Sequence, residues 1–245
     1  SSINERLFDL GDIPVLGQTR SKAEELINHA IAQVYSRNAT SIVLGGDCSI
    51  IAPVSRAIAN GKSVAYIQIG GKTPGTSDTK LDHQASSPLH SLLASGAVKL
   101  ADTCILAPAE NPSVEFLTEL SGAGAKILSS SQLKDMSSKE ITDLSHTLSN
   151  RDVPVIINLD LSSVSSELHG MSDQPVFNGM SLKLLRRVLV ALASAPIATL
   201  ILTGHNPTIN GLSVVKTGQR LIVTALVGYI CSRLGLMNDV NSNDN

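Results

Sequence analysis

The chain has 245 residues, 42% of them hydrophobic, enough to bury the core of one large domain. Nineteen basic and 21 acidic residues leave a net charge of −2, which gives no electrostatic reason to expect nucleic acid or an anionic membrane as a partner. Aromatic residues make up only 2% and Trp is absent, so the core is built from Leu, Ile, Val and Ala, which suits helices on a parallel sheet better than a β-sandwich.

In chain order, Ala23, Leu26, Ile27, Ala30, Ile31 and Val34 form one apolar face of an amphipathic helix. Ser41-Ile42-Val43-Leu44 reads as a short strand, followed at once by Gly45-Gly46-Asp47. Further strands are predicted over Val64 to Ile69, Thr103 to Ala107, Val153 to Leu159 and Ile197 to Leu202. Leu182, Leu184, Leu185, Val188, Leu189 and Leu192 mark a second amphipathic helix. The last helix, Val214 to Leu234, is apolar on most of its surface, which predicts burial in the domain or against a partner subunit. The alternation argues for an α/β fold with a parallel sheet, one domain over 1–237 and a polar tail over 238–245. Two loop-like stretches, Gly70 to Pro88 and Ser162 to Gly179, each follow a strand, where parallel sheets place their sites. The apolar run Leu221 to Val227 is far too short to span a bilayer, and no signal peptide opens the sequence, which starts on Ser rather than Met. Cys48, Cys104 and Cys231 are odd in number and far apart. They suggest no disulfide framework and fit a reducing, intracellular and cytoplasmic setting.

The chain resembles the ureohydrolase superfamily of arginases, agmatinases and formiminoglutamases at six segments in order. Gly45-Gly46-Asp47-Cys48-Ser49 stands where that family has Gly-Gly-Asp-His-Ser. Phe8 to Pro14 is similar to its early Asp-x-Gly-Asp segment, and Ser86 to His90 to its Ser-Gly-Asn-hydrophobic-His. Asn158-Leu159-Asp160-Leu161-Ser162 occupies the place of Ser-Phe-Asp-x-Asp. Pro175 to Ser181 resembles Pro-Val-x-Gly-Gly-Leu-Thr, and Gly204-His205-Asn206-Pro207 falls on Glu-x-Asn-Pro. The resemblance implies a three-layer α/β/α fold with a central parallel sheet, assembled as a homotrimer or hexamer. It also implies hydrolysis of guanidino compounds by a hydroxide held between two Mn²⁺ ions, which needs several anionic oxygens and imidazoles.

Carried over by residue, the six family ligands fall on Cys48, Gln68, Gly70, Lys72, Asp160 and Ser162, so one of six survives. Lys72 brings an ammonium where a carboxylate would face two cations. One such repulsion at about 4 Å costs roughly 4 kcal/mol at an effective dielectric near 20. The family's substrate positions are depleted as well: Pro88 replaces the loop Asn, Asn111 stands for an Asp, and Gly204 replaces the carboxylate that holds a guanidinium. His90 remains at the place of the proton-shuttle histidine. The expectation is therefore an arginase-like pseudoenzyme with no metal cofactor, left with a role in binding, regulation or assembly with itself or an active paralogue. The alternative keeps ureohydrolase chemistry with an atypical or absent metal, and a small-molecule sensor in the old cleft is a third class.

Single residues keep their own alternatives. Cys48 reads as an inert core thiol, a thiolate nucleophile at a helix start, or a ligand of a rebuilt zinc site with Asp160 and His90 or His205. No short ligand spacing supports the zinc site, and on a strand His205 points to the face opposite residue 204. Asp160 either accepts backbone hydrogen bonds, pairs with Lys72 or serves as a ligand. Asp47 reads as a structural hydrogen-bonding residue. Gly45-Gly46 lacks the GxGxxG or GKS/GKT sequence of a phosphate loop. His29, His83, His146 and His169 read as ordinary.

Overall fold

The computed structural model describes residues 7–73, 88–109, 112–149, 153–161, 164, 179–204 and 212–235, with backbone alone for 149 and 212–222. Among these, six strands form one parallel sheet: β1 (Ser41–Leu44), β2 (Val64–Ile69), β3 (Val98–Leu106), β4 (Lys126–Leu128), β5 (Val155–Asp160) and β6 (Ile197–Thr203), in the order β1-β6-β5-β2-β3-β4. The strands read as continuous apolar runs because both faces are covered. All of β2 is buried.

The helices divide between the two faces. On one lie α1 (Arg20–Tyr35), α2 (Ile51–Ala59), α3 (Pro88–Ala94) and α4 (Val114–Ala123), packing Ile31, Val54, Leu92 and Leu120 against Tyr66, Ile156 and Ile201. On the other lie α5 (Ser130–Asp135), α6 (Ser138–Ser149), α7 (Leu182–Leu192) and α8 (Leu212–Arg233), packing Leu133, Leu144, Leu185 and Tyr229 against Ile67, Ile157 and Leu200. The result is the three-layer α/β/α sandwich expected. Period-2 alternation sends even residues of β2 and β5 to the first core and odd residues to the second. Each fully buried Leu or Ile contributes roughly 1.5–3 kcal/mol, and the two cores hold most of them.

Caps set the helix starts. Thr19, Ser113 and Ser181 accept from backbone N–H groups in the first turns of α1, α4 and α7, and Ser129 with Gln132 closes a capping box on α5.

The sheet order places a topological switch between β2 and β5. From β2 the chain moves outward through β3 to β4, then returns to lay β5 beside β2 and continues to β6. Parallel sheets bind ligands at the carboxyl ends of strands at such a point.

Candidate functional site

Gln68 leaves β2 and Asp160 leaves β5 at this switch, on the same face of the sheet, since Gln68 pairs in register with Asn158 two residues before Asp160. The chain beyond β2 turns sharply through Gly70 and Gly71, both in the left-handed region at φ of 73° and 69°. This turn is fastened at every step. Gly70 N–H donates to the Leu106 carbonyl at 2.8 Å, and Ala109 N–H donates to the Gly71 carbonyl at 3.0 Å. The Gln68 amide nitrogen, fully buried, donates to the carbonyls of Gly70 at 2.8 Å and Lys72 at 2.9 Å. Both amide hydrogens are thus spent on the turn. The amide oxygen, also buried, has no hydrogen-bond partner among the described residues.

Asp160 lies against this turn. A Cβ on Gly71 would meet Asp160 Oδ2 at 3.0 Å and its Cβ at 3.2 Å, so only glycine lets the strand end approach so closely. Tyr66 and Asn158 sit one pleat below. The Tyr66 hydroxyl, fully buried beside the Asn158 amide, makes no hydrogen bond of good geometry, and the Asn158 oxygen accepts from the Thr203 hydroxyl at 3.2 Å. Burial, with the Asp160 carboxylate adding to it, drives the Tyr66 hydroxyl well above its ordinary range, so it stays a neutral donor.

Cys48 closes the site from the β1 side. Asp47 caps a short 3-10 turn over Cys48–Ile50 that runs into α2, its carboxylate accepting from Ser49 N–H at 2.9 Å. The structural role read for Asp47 in the sequence is visible here. Cys48 does open a helical turn, but burial first, then the carboxylates of Asp47 and Asp160, push its thiol up. A helix start normally lowers a thiol pKa. Here two anions and partial burial act against it and disfavour the thiolate. Nearby, Gly204 N–H donates to the Gly46 carbonyl at 2.7 Å, knitting β6 to the loop after β1.

The sequence-derived positions are thus only partly gathered. Cys48, Gln68, Gly70, Lys72, Asp160 and Gly204 lie at the strand ends around the switch. Pro88 and His90 sit in the first turn of α3, with His90 exposed. Ser162, Asn111 and His205 lie outside the described residues, as do His83 and His169. Among the described residues, no three His, Cys, Asp or Glu side chains group as a metal cluster would require. Tyr66, Asn158 and Thr203 were missed as site neighbours. The signal was available for Tyr66 and Asn158, which share strand parity with Gln68 and Asp160, whereas Thr203 is placed only by its pairing with Asp160 across the sheet.

The family model for the arginase family matches residues 3–226. The chain belongs to the arginase family. Its fold is similar to formimidoylglutamase from Bacillus subtilis, at 18% identity and a TM-score of 0.74 over 92% of this chain and 71% of that one. It is also similar to arginase from Bacillus caldovelox, at 20% identity and a TM-score of 0.70 over 92% and 80% of the two chains. Trypanosoma cruzi formiminoglutamase, solved with Mn²⁺, gives 17% identity and a TM-score of 0.71 over 92% and 74%. No curated protein matches in sequence. Among the described residues, no helix is long and apolar enough to cross a membrane.

Proposed function

We propose that this member of the arginase family is a pseudoenzyme whose remaining role is binding or assembly, as a homotrimer or hexamer or with an active paralogue. The observation that carries the reading is the Gln68 amide. At a position where the family resemblance expects a carboxylate ligand, the side chain instead spends both N–H donors on the carbonyls of Gly70 and Lys72. A carboxylate there would face two carbonyl oxygens with no proton to offer.

The rest of the donor set agrees. Gly70 supplies no side chain, Cys48 offers a soft thiol where the family has an imidazole, and Lys72 brings a positive charge. Two divalent cations need several anionic oxygens between them. These residues do not fit a pair of manganese ions.

Elemental analysis of purified protein, before and after equilibration with excess MnCl₂, tests the reading, alongside urea release from arginine and agmatine and ammonia release from formiminoglutamate. The expected result is no stoichiometric metal and no product above a blank. Manganese lost when Asp160 becomes Ala, or product formation abolished by His90→Ala, overturns it.

A further inference from the structure

On the face of the sheet that carries α5 to α8, the arginines differ in what they hold. Arg187 donates to the carbonyls of Leu133 and Lys134, and Arg233 to those of Ala193, Ala195 and Ile197. Arg186 makes no hydrogen bond and no ion pair among the described residues, and neither does the side chain of Lys183 one turn before it. Yet Arg186 is placed. Its side chain lies across α8 at Gly228, where an added Cβ would meet Nε at 3.3 Å and Cγ at 3.5 Å, so the glycine lets it pack this closely. A groove of about 260 Å³ runs beside it between α7 and α8, lined by Leu182, Lys183, Arg186, Thr224 and Ala225. Buried Ala225 and half-buried Leu182 form its floor, and the exposed Lys183, Arg186 and Thr224 form its rim. Neither cation serves the helix that carries it. Like charges at i and i+3 repel, and both stand in the first half of α7, where the helix dipole disfavours cations and the first turn has no acidic residue.

We propose that the α7–α8 groove binds a small organic oxyanion, a carboxylate or phosphate ester whose head meets Arg186 and Lys183 and whose apolar body lies on Leu182 and Ala225. The planar fork of an arginine matches two oxygens of such a head, and the lysine adds a point charge beside it. A bound anion also removes the repulsion between the two cations. The volume lies at the low end of small-molecule sites, so the body is a single ring or a short chain. The inference goes beyond the proposed function. α7 and α8 pack on the face of the sheet opposite the one to which Gln68 and Asp160 belong, so the groove does not depend on what became of the metal ligands.

Titration calorimetry on the full chain tests the site, with phenyl phosphate, benzoate, inorganic phosphate and benzyl alcohol as separate probes. At least one of the two aryl anions is expected to bind saturably, about tenfold or more tighter than inorganic phosphate, which lacks the body, or benzyl alcohol, which lacks the charge. The tighter of the two aryl anions identifies the head. Arg186→Gln and Lys183→Gln are each expected to weaken its binding about tenfold, through loss of one charge-assisted contact. Gly228→Ala, which displaces Arg186, is expected to weaken it as well. Lys62→Gln, at an exposed lysine beyond α2, is expected to leave it unchanged. Far-UV circular dichroism confirms that each variant folds. Absence of saturable binding by either aryl anion at millimolar concentration overturns the site. An affinity that inorganic phosphate equals, or that Lys62→Gln lowers as much as Arg186→Gln does, overturns it too, since either means attraction to surface charge in general.

Discussion

Gln68 holds Lys72 through its own side chain: the amide nitrogen donates to the Lys72 carbonyl at 2.9 Å, across the left-handed pair Gly70-Gly71. The same nitrogen reaches the Gly70 carbonyl at 2.8 Å, so one amide sets the course of the chain out of the sheet at its switch point. Replacing it by a carboxylate removes both donors and buries a charge in a fully enclosed position. Gln68→Asp is therefore expected to cost roughly 3–5 kcal/mol of stability, read as a lower urea midpoint. Gln68→Met, which keeps the volume and orphans only the two carbonyls, is expected to cost less than Gln68→Asp. Equal losses for the two would show that the buried charge does not matter and that the clamp is a packing contact.

Restoring metal binding calls for Cys48→His, Gln68→Asp, Gly70→His, Lys72→Asp and Ser162→Asp together, beside native Asp160. The backbone adds an obstacle that side-chain identities alone do not show. Gly70 stands at φ 73°, where a β-carbon costs roughly 1–2 kcal/mol, and Gly204, at φ 78°, would resist return of the family's carboxylate in the same way. The fivefold variant is expected to lose stability relative to the wild type before it gains any manganese. Ser162→Asp alone is expected to show no Mn²⁺ heat in titration calorimetry. Tight Mn²⁺ binding by that single variant would mean the ligand correspondence is misplaced.

Cys48 offers a check on the electrostatics of the cleft. Its folded pKa is raised by burial and by the carboxylates of Asp47 and Asp160. The protonated thiol is therefore favoured by folding. This contribution is fully present below the unfolded pKa, and it is lost as pH rises past that value towards the folded one. In a Cys231→Ser background, alkylation of Cys48 by iodoacetamide at neutral pH is expected to run slower than that of a free thiol, with its inflection displaced above that of the unfolded chain. Cys104, fully buried and pushed up to about 12, is expected to stay unmodified in the native protein. Asp160→Asn removes one of the anions and is expected to speed alkylation of Cys48. An unchanged rate would place the carboxylate too far from the thiol to matter.

The sheet was legible in the sequence because its strands are buried on both faces and read as unbroken apolar runs. β1 lies where Ser41 to Leu44 predicted it, and β2 covers Val64–Ile69 as read. β3 begins five residues earlier than Thr103: Val98 already pairs with Val64, and a register shift over residues 99–102, where Lys99 and Asp102 break the apolar pattern, separates it from the pairing that resumes at Thr103. β4 was not foreseen. It is a three-residue edge strand, too short to show any period. Around the site, the sequence carried the side-chain identities on which the proposed loss of the metal ligands rests. The left-handed turn at Gly70-Gly71 and the Gln68 clamp were not legible, since they depend on carbonyls brought together only by β2, β3 and β5.

Arg233 secures the last described helix at its C-terminal end. Its guanidinium sits at the end of α8 and donates to four groups from three parts of the chain: the carbonyls of Ala193, Ala195 and Ile197, and the Thr40 hydroxyl. Ala193 is the C-cap of α7, where orphan carbonyls gather and the helix dipole leaves partial negative charge, so a cation there is doubly favoured. The contact to Ala195, at 2.6 Å, is the shortest of the four. Thr40 in turn donates to the Ile197 carbonyl at 3.1 Å, so the guanidinium ties α8 to the entries of both β1 and β6. Arg233→Ala leaves these half-buried carbonyls short of donors and is expected to cost roughly 2–3 kcal/mol. Arg233→Lys keeps the charge and loses the planar fork, so it is expected to recover only part of that. Hydrogen exchange distinguishes a local from a global effect: amides of α8 are expected to lose protection in Arg233→Ala before those of β2 and β5. If strand and helix amides lose protection together, the clamp contributes to global stability rather than to docking of the last helix.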